Sequence, residues 1–164
     1  MHHIIRACAS LVALGLSTSV FAQWSTTIED DIFSGGKKGM MLADIGARQA
    51  IAFDCDADNL TVSFITEGKW PADGRSTGWD LLIKVDQGKI HKFLAVSGQR
   101  NSDHLQYLAS DKAEILAVVK EIKDAKSQIL LGLQSKEYDS KWSGTVDTAG
   151  STREANRFLT ACKL

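Results

Sequence analysis

Two cysteines far apart in the chain constrain its fold more than any other feature of the sequence. Cys55 lies in the stretch 49–65, QAIAFDCDADNLTVSFI, and Cys162 lies three residues from the end. In an oxidising compartment such a pair most simply forms one disulfide. We therefore expect a Cys55–Cys162 bond that joins the first half of the chain to its last segment within one domain.

The segment around Cys55 has the pattern of a β-hairpin. Apolar side chains alternate with polar or small ones along 51–55 and again along 60–64, on either side of a predicted turn at 56–59. This alternation places Cys55 on the buried face.

The first 22 residues have the layout of a secretory signal peptide. Arg6 precedes an apolar run at 7–16, and small residues lead to Ala22. We expect cleavage after Ala22 and an exported domain at 23–164, in the periplasm or outside the cell. Lipidation at Cys8 is disfavoured because that residue lies at the start of the apolar run instead of after its apolar core.

The predicted exported domain is close to neutral, with 18 basic and 20 acidic residues. Nucleic acids and anionic membrane surfaces are bound by clustered Lys and Arg, which this balance does not indicate. No apolar run is long enough for a transmembrane helix. The expected partner is therefore another protein of the cell envelope.

The remaining segments predict a mainly β, α+β domain. We expect an antiparallel β-sandwich or curled sheet with one inserted helix and a C-terminal helix tied by the disulfide. Strands are predicted near 24–28, 40–45, 79–85, 90–97, 105–109, 128–134 and 142–146.

Two segments change to helical periodicity. Residues 111–126 carry an apolar stripe, and Asp111 with Glu114 has the spacing of a capping box. Ser151 and Glu154 repeat that spacing before the closing helix. The strand predicted at 128–134 is rich in apolar residues on both faces, which indicates burial on most of its surface.

The loop between 67 and 78 is the candidate binding surface. It contains Trp70, Pro71, Asp73 and Arg75, an aromatic side chain beside a rigid proline with two charges nearby. The alternative, which we favour, is that Trp70 packs on the edge of the sheet while the loop only turns the chain.

Candidates for catalysis are few. The sequence has no G-x-S-x-G motif, and an oxidised cysteine is not a nucleophile. Asp54, Asp56 and Asp58 could in principle pair their carboxylates, but aspartates also collect in turns for conformational reasons. No catalytic residue is predicted.

Candidates for metal binding are equally weak. The acidic run 29–31 lacks the ligand spacing of a calcium loop. His91 and His104 have no third ligand nearby, and we expect both at the surface. Neither a metal nor a cofactor is predicted.

Several landmarks together resemble a group of small exported bacterial proteins. They are Trp24, the acidic pair at 30–31, the Cys55 hairpin, W-x-L-x-I-x-V-D at 79–86 and G-S-T-x-E-A-x-x-F-L-x-x-C at 150–162. In this order the chain is similar to the VasI-type proteins of type VI secretion loci and, more loosely, to invasion-associated locus B proteins. The resemblance implies a disulfide-bridged periplasmic β-domain of Gram-negative bacteria and brings no catalytic residues.

These observations favour a non-enzymatic, exported protein-binding module, with an envelope, secretion-system or effector-inhibiting role. The alternatives are a small periplasmic hydrolase that uses the aspartates of the hairpin turn, and a carrier that holds a small ligand inside a curled sheet.

Overall fold

The structure is a computed structural model that describes residues 23–70 and 74–164. The predicted leader 1–22 lies outside the described residues, as do Pro71 and Asp73. The elements are β1 (Trp24–Asp30), β2 (Lys37–Gly46), β3 (Gln49–Cys55), β4 (Leu60–Glu67), β5 (Gly78–Val85), β6 (Ile90–Gln99), β7 (His104–Ala109), α1 (Lys112–Asp124), β8 (Gln128–Ser135), β9 (Ser140–Asp147) and α2 (Ser151–Ala161).

All nine strands belong to one antiparallel sheet in the order β1-β2-β3-β4-β7-β6-β5-β8-β9. The sheet curls until its two edges approach each other. Across the gap, Trp24 Nε1 donates to the Asp147 carbonyl at 2.8 Å, and the Asp147 N–H donates to Gln23 Oε1 at 2.8 Å. The fold is therefore the curled sheet of the prediction, a half-barrel.

The concave face of the sheet and the two helices enclose the core. The predicted alternation of the β3–β4 hairpin is confirmed, since Phe53, Cys55 and Val62 are buried. Helix α1 buries the four apolar residues of its stripe, and α2 buries Ala155 and Phe158 against the sheet. Both helices thus lie on the face that carries the apolar half of each strand.

The strand register divides the loops between the two ends of the barrel. The loops β2–β3, β4–β5, β6–β7 and β8–β9 lie at one end, which we call the aromatic end. The turns β1–β2, β3–β4 and β5–β6 lie at the opposite end, which we call the disulfide end. The connections that lead into α1 and α2 also leave from the disulfide end.

The Cys55–Cys162 disulfide is present and joins β3 to the end of α2. Its Cα atoms are 6.1 Å apart, and the two residues are separated by 107 positions. Gly39 on β2 makes room for the bond, because a Cβ at this position would lie 3.0 and 3.1 Å from the two sulfur atoms. A larger residue here would crowd the disulfide.

The two predicted capping boxes have different outcomes. Asp111 caps α1, since its Oδ1 accepts from the Glu114 N–H at 3.1 Å. The prediction for α2 is wrong: the helix starts after Gly150, whose φ is +87°, and no side chain caps it. Glu154 is instead buried and pairs with Arg153 and with Arg157, at 2.6 and 3.0 Å.

The strand at 128–134 is not buried on most of its surface as the sequence indicated. Its inward residues Ile129 and Leu131 are buried, but Leu130 on the outer face is 37% exposed. The reason is that both helices pack on the concave face and leave this part of the outer face to solvent. Within the described residues, neither helix is long and apolar enough to cross a membrane.

Candidate binding site at the aromatic end

Five aromatic side chains form a continuous row along the concave face toward the aromatic end. Neighbouring ring centroids are 4.6, 6.0, 4.8 and 5.9 Å apart, in the range of favourable aromatic pairs. In order, this aromatic row consists of Trp142, Phe64, Tyr107, Trp79 and Tyr138.

The aromatic row is only partly covered. Phe64 is buried, Trp79 and Tyr107 are half-buried, and Tyr138 in the β8–β9 turn is 54% exposed. Burial raises the pKa of the Tyr107 hydroxyl further above neutral pH, where the group is protonated and can donate a hydrogen bond. The row offers aromatic faces with polar edges, the combination that is enriched in protein-binding surfaces.

A glycine sets the position of Trp142 in the row. The indole lies against Gly144, where a Cβ would come within 2.5 Å of the ring and within 3.0 Å of Ile45. Because Gly144 has no side chain, the indole can lie along the strand and reach Phe64.

Hydrogen bonds at the start of β5 hold Trp79. Its Nε1 donates to Thr77 Oγ1 at 3.0 Å. The Thr77 N–H donates in turn to Ser97 Oγ at 3.0 Å, and the Ser97 N–H donates to the Thr77 carbonyl at 3.1 Å. The Trp79 indole is therefore oriented by a polar network as well as by its aromatic neighbours.

The predicted binding loop leaves the barrel at this same end. The Trp70 N–H donates to Gln99 Oε1 at 2.5 Å, and the indole Nε1 donates to the Gly74 carbonyl at 3.1 Å. The Gly68 N–H donates to the Asp103 carbonyl at 2.9 Å. The base of the loop is thus tied to the neighbouring β6–β7 loop.

The four predicted surface residues cannot all be placed. Trp70 is half-buried and Arg75 is exposed, whereas Pro71 and Asp73 lie outside the described residues. Within the described residues, Trp70 is not among the aromatic side chains that pack on the core. The four-residue surface therefore stays a prediction.

The aspartates of the β3–β4 hairpin do not converge on a common site. Asp54 forms a two-pronged ion pair with Arg100, at 2.9 and 3.1 Å. The Asn59 side chain and the N–H groups of Asp58 and Asn59 donate to Asp56 and lower its pKa. Two of the three carboxylates are thus engaged in separate structural roles.

His91 is buried, contrary to its predicted position at the surface. Its Nδ1 lies 2.7 Å from Glu114 Oε1 and its Nε2 lies 3.0 Å from Glu121 Oε2, so it joins β6 to α1. Lys89 and His91 lower the pKa of Glu114. The signal was available in the sequence, since His91 has the same strand parity as the inward-facing Phe93.

The described residues contain no group of three His, Cys, Asp or Glu side chains placed to hold a metal ion. In the acidic run 29–31, Asp31 folds back into its own turn and accepts from Ser34 Oγ at 2.6 Å. The pKa of Asp31 is lowered by this hydrogen bond, which has the largest effect. The hydrogen bond from the Phe33 N–H and the charge of Lys38 lower it further.

Comparison with known proteins identifies the fold alone. No protein-family model matches this chain, and no curated protein matches it. Among solved structures, the chain is similar to invasion associated protein B from Bartonella henselae, with a TM-score of 0.52 and 14% identity. The match covers 89% of this chain and 98% of the other. The looser of the two sequence resemblances thus has a structural counterpart in the fold of an invasion-associated protein.

Proposed function

We propose that this protein is a non-enzymatic, exported binding module that holds another protein of the cell envelope at its aromatic end. The observation that carries the proposal is the aromatic row, which the helices leave partly open beside the Trp70 loop. Rigid, half-exposed aromatic side chains provide large contact area at low entropic cost.

The scaffold has properties that suit this role. A disulfide stabilises the fold at the opposite end of the barrel, so the loops at the aromatic end can form a binding surface while the fold is kept. The bond also supports an oxidising compartment, such as the periplasm, and thereby cleavage after Ala22. An accessory or effector-inhibiting role at a type VI secretion locus, or a role in invasion as for the solved neighbour, would use the same kind of surface.

The test is affinity capture of the tagged protein from an envelope extract of its own organism. We expect one stoichiometric protein partner, lost in the double variant Trp70→Ala/Arg75→Ala. The matched control is Leu94→Ala/Lys141→Ala, two exposed residues on the outer face of the sheet, which should retain the partner. Equal capture by all three proteins would remove the loop from the proposal.

A second candidate is a small-ligand carrier, favoured by a cleft of about 330 Å³ on the outer face. Its floor contains Leu42 and Ile65, and its walls contain Arg48, Arg100 and His104. Asp44 also lines the cleft, and both arginines are already paired with carboxylates, so the lining suits a small amphipathic ligand of mixed polarity. Stabilisation of the wild type by such ligands, lost in Arg48→Ala, would favour this candidate over the protein-binding module.

A further inference from the structure

The disulfide end carries an apolar projection. Ile32 and Phe33, in the β1–β2 turn, are 85% and 90% exposed. They are the two most exposed large apolar side chains among residues 23–70 and 74–164. Neighbouring apolar residues that both point away from the core require an explanation other than folding.

The turn that presents these two side chains is held by its own hydrogen bonds. Asp31, only 8% exposed, accepts from the Phe33 N–H at 3.2 Å and from Ser34 Oγ at 2.6 Å. The Gly35 N–H donates to the Asp31 carbonyl at 2.8 Å, and Gly35 adopts a φ of +68° that favours glycine. The projection of Ile32 and Phe33 is therefore a built feature of the turn.

An apolar groove of about 690 Å³ opens between β1 and α2 at the same end. Ile28 and Ala161 contribute its apolar surface, and Lys37, Arg157 and Lys163 contribute three positive charges. Among the described residues, no carboxylate side chain lines it. The groove is thus apolar and cationic, although the domain as a whole carries a small negative charge.

The groove and the turn form one surface. Lys37 and Lys163 also line a cavity of about 360 Å³ beneath the turn, together with Lys112 and Asp56. Asp56 is occupied by the hydrogen bonds of its own turn. These hydrogen bonds lower the pKa of Asp56 and keep it ionised, so it offsets one of the three lysines that line this cavity and leaves the lysine side chains in excess.

Some of these cations have ion-pair partners, and others have none among the described residues. Lys37 pairs with Asp30, and Arg157 pairs with Glu154. Lys163 and Lys112 form no salt bridge within the described part of the chain. Two positive charges are thus available to an anionic partner.

We infer that this surface docks on an anionic phospholipid bilayer, with Ile32 and Phe33 in the interfacial layer and the cations at the lipid phosphates. A projecting apolar pair fits a fluid apolar layer, and the lysines behind it match the charge of the headgroups. An acidic, amphipathic protein segment is the competing occupant. On a membrane, the aromatic end would face away from the lipid and toward soluble partners.

The test is co-sedimentation of the purified protein with vesicles of equal parts phosphatidylglycerol and phosphatidylcholine, with its N-terminus read by mass spectrometry. We expect partition to fall about tenfold in Ile32→Ser/Phe33→Ser, since both apolar contacts are lost. The matched control is Leu94→Ser/Val96→Ser, two apolar residues of β6 that are 76% and 50% exposed away from the disulfide end and should bind as the wild type does.

The charge component is tested separately. Lys163→Glu should lower partition several-fold, whereas Lys141→Glu on the outer face of β9 should not. Pure phosphatidylcholine vesicles should bind weakly. The inference is overturned if the wild type does not sediment with the vesicles, or if Ile32→Ser/Phe33→Ser and its control bind equally well. It is also overturned if an acidic amphipathic peptide binds this surface while the vesicles do not. Partner capture at the aromatic end is a separate measurement, so either proposal can fail alone.

Discussion

The two ends of the barrel are built in different ways. At the disulfide end, two helices, a covalent bond and the His91–Glu114–Glu121 contacts fasten the core. At the aromatic end, the described residues place no helix over the open part of the aromatic row, and the contacts are made by aromatic rings and loops. The contrast teaches that one end provides stability while the other can present side chains to a partner.

The largest expected effect is loss of the disulfide. Cys55→Ser/Cys162→Ser should lower the free energy of unfolding by about 4–5 kcal/mol, because a loop of this length gains much entropy in the unfolded chain. Urea unfolding of wild type and variant measures the difference. Two reactive thiols in the native, unreduced protein would contradict the bond itself.

A smaller effect is expected at the aromatic end. Gly144→Ala places a methyl group against the Trp142 ring and should cost about 1–3 kcal/mol while changing tryptophan fluorescence. Gly78→Ala is the control, since its Cβ would meet Leu94 at an ordinary 3.8 Å. Equal stability of the two variants would show that Trp142 has room to move.

Acid should weaken the ion pairs of α1 and α2 at the disulfide end. The pKa of Glu114 is lowered mainly by Lys89 and also by His91. Burial raises the pKa of Glu154, but Arg153 and Arg157 lower it by more. A lowered pKa stabilises the fold above the ordinary glutamate value of 4.5, and this contribution is lost as the pH falls below it.

Unfolding midpoints measured between neutral and acidic pH test this expectation. Glu114→Gln should be less stable than the wild type at neutral pH and should lose less stability on acidification. A variant with the same pH dependence as the wild type would show that Glu114 does not contribute.

The smallest effect on stability is expected in the loop. Trp70→Ala/Arg75→Ala should leave the melting temperature within about 2 °C, because both residues lie outside the core. Differential scanning calorimetry measures it. A drop comparable to that of Gly144→Ala would mean that the loop supports the fold and is not only a binding surface.

Much of the fold was predictable because burial leaves a periodic record in the sequence. The β3–β4 hairpin, the apolar stripe of α1 and the inward Cys55 all follow from alternation or helical spacing. The errors have a different origin. The exposure of Leu130 was missed because it depends on whether another element covers the outer face of the sheet. The predicted cap at Ser151 was wrong because the start of a helix depends on the residues that surround it in space.

His91 shows the same limit of prediction from the sequence. It was expected at the surface although its strand parity matches that of Phe93, and the two glutamates that it contacts lie 23 and 30 residues away on a helix. The residues near His91 in the sequence therefore do not reveal its partners. A histidine without a partner is expected at the surface, because burying an unpaired polar group costs free energy.

By itself, the sequence determined a β-rich domain, because strand periodicity is a local property, and a Cys55–Cys162 disulfide, because the segment 23–164 contains only these two cysteines. Only the tertiary structure decided which side chains share a surface. Trp142 packs against Phe64, and Lys37 and Lys163 line one groove, although each pair is more than 70 positions apart in the chain. The physical reason is that curling the sheet brings distant strands and α2 together, and net charge or composition carries no record of that geometry.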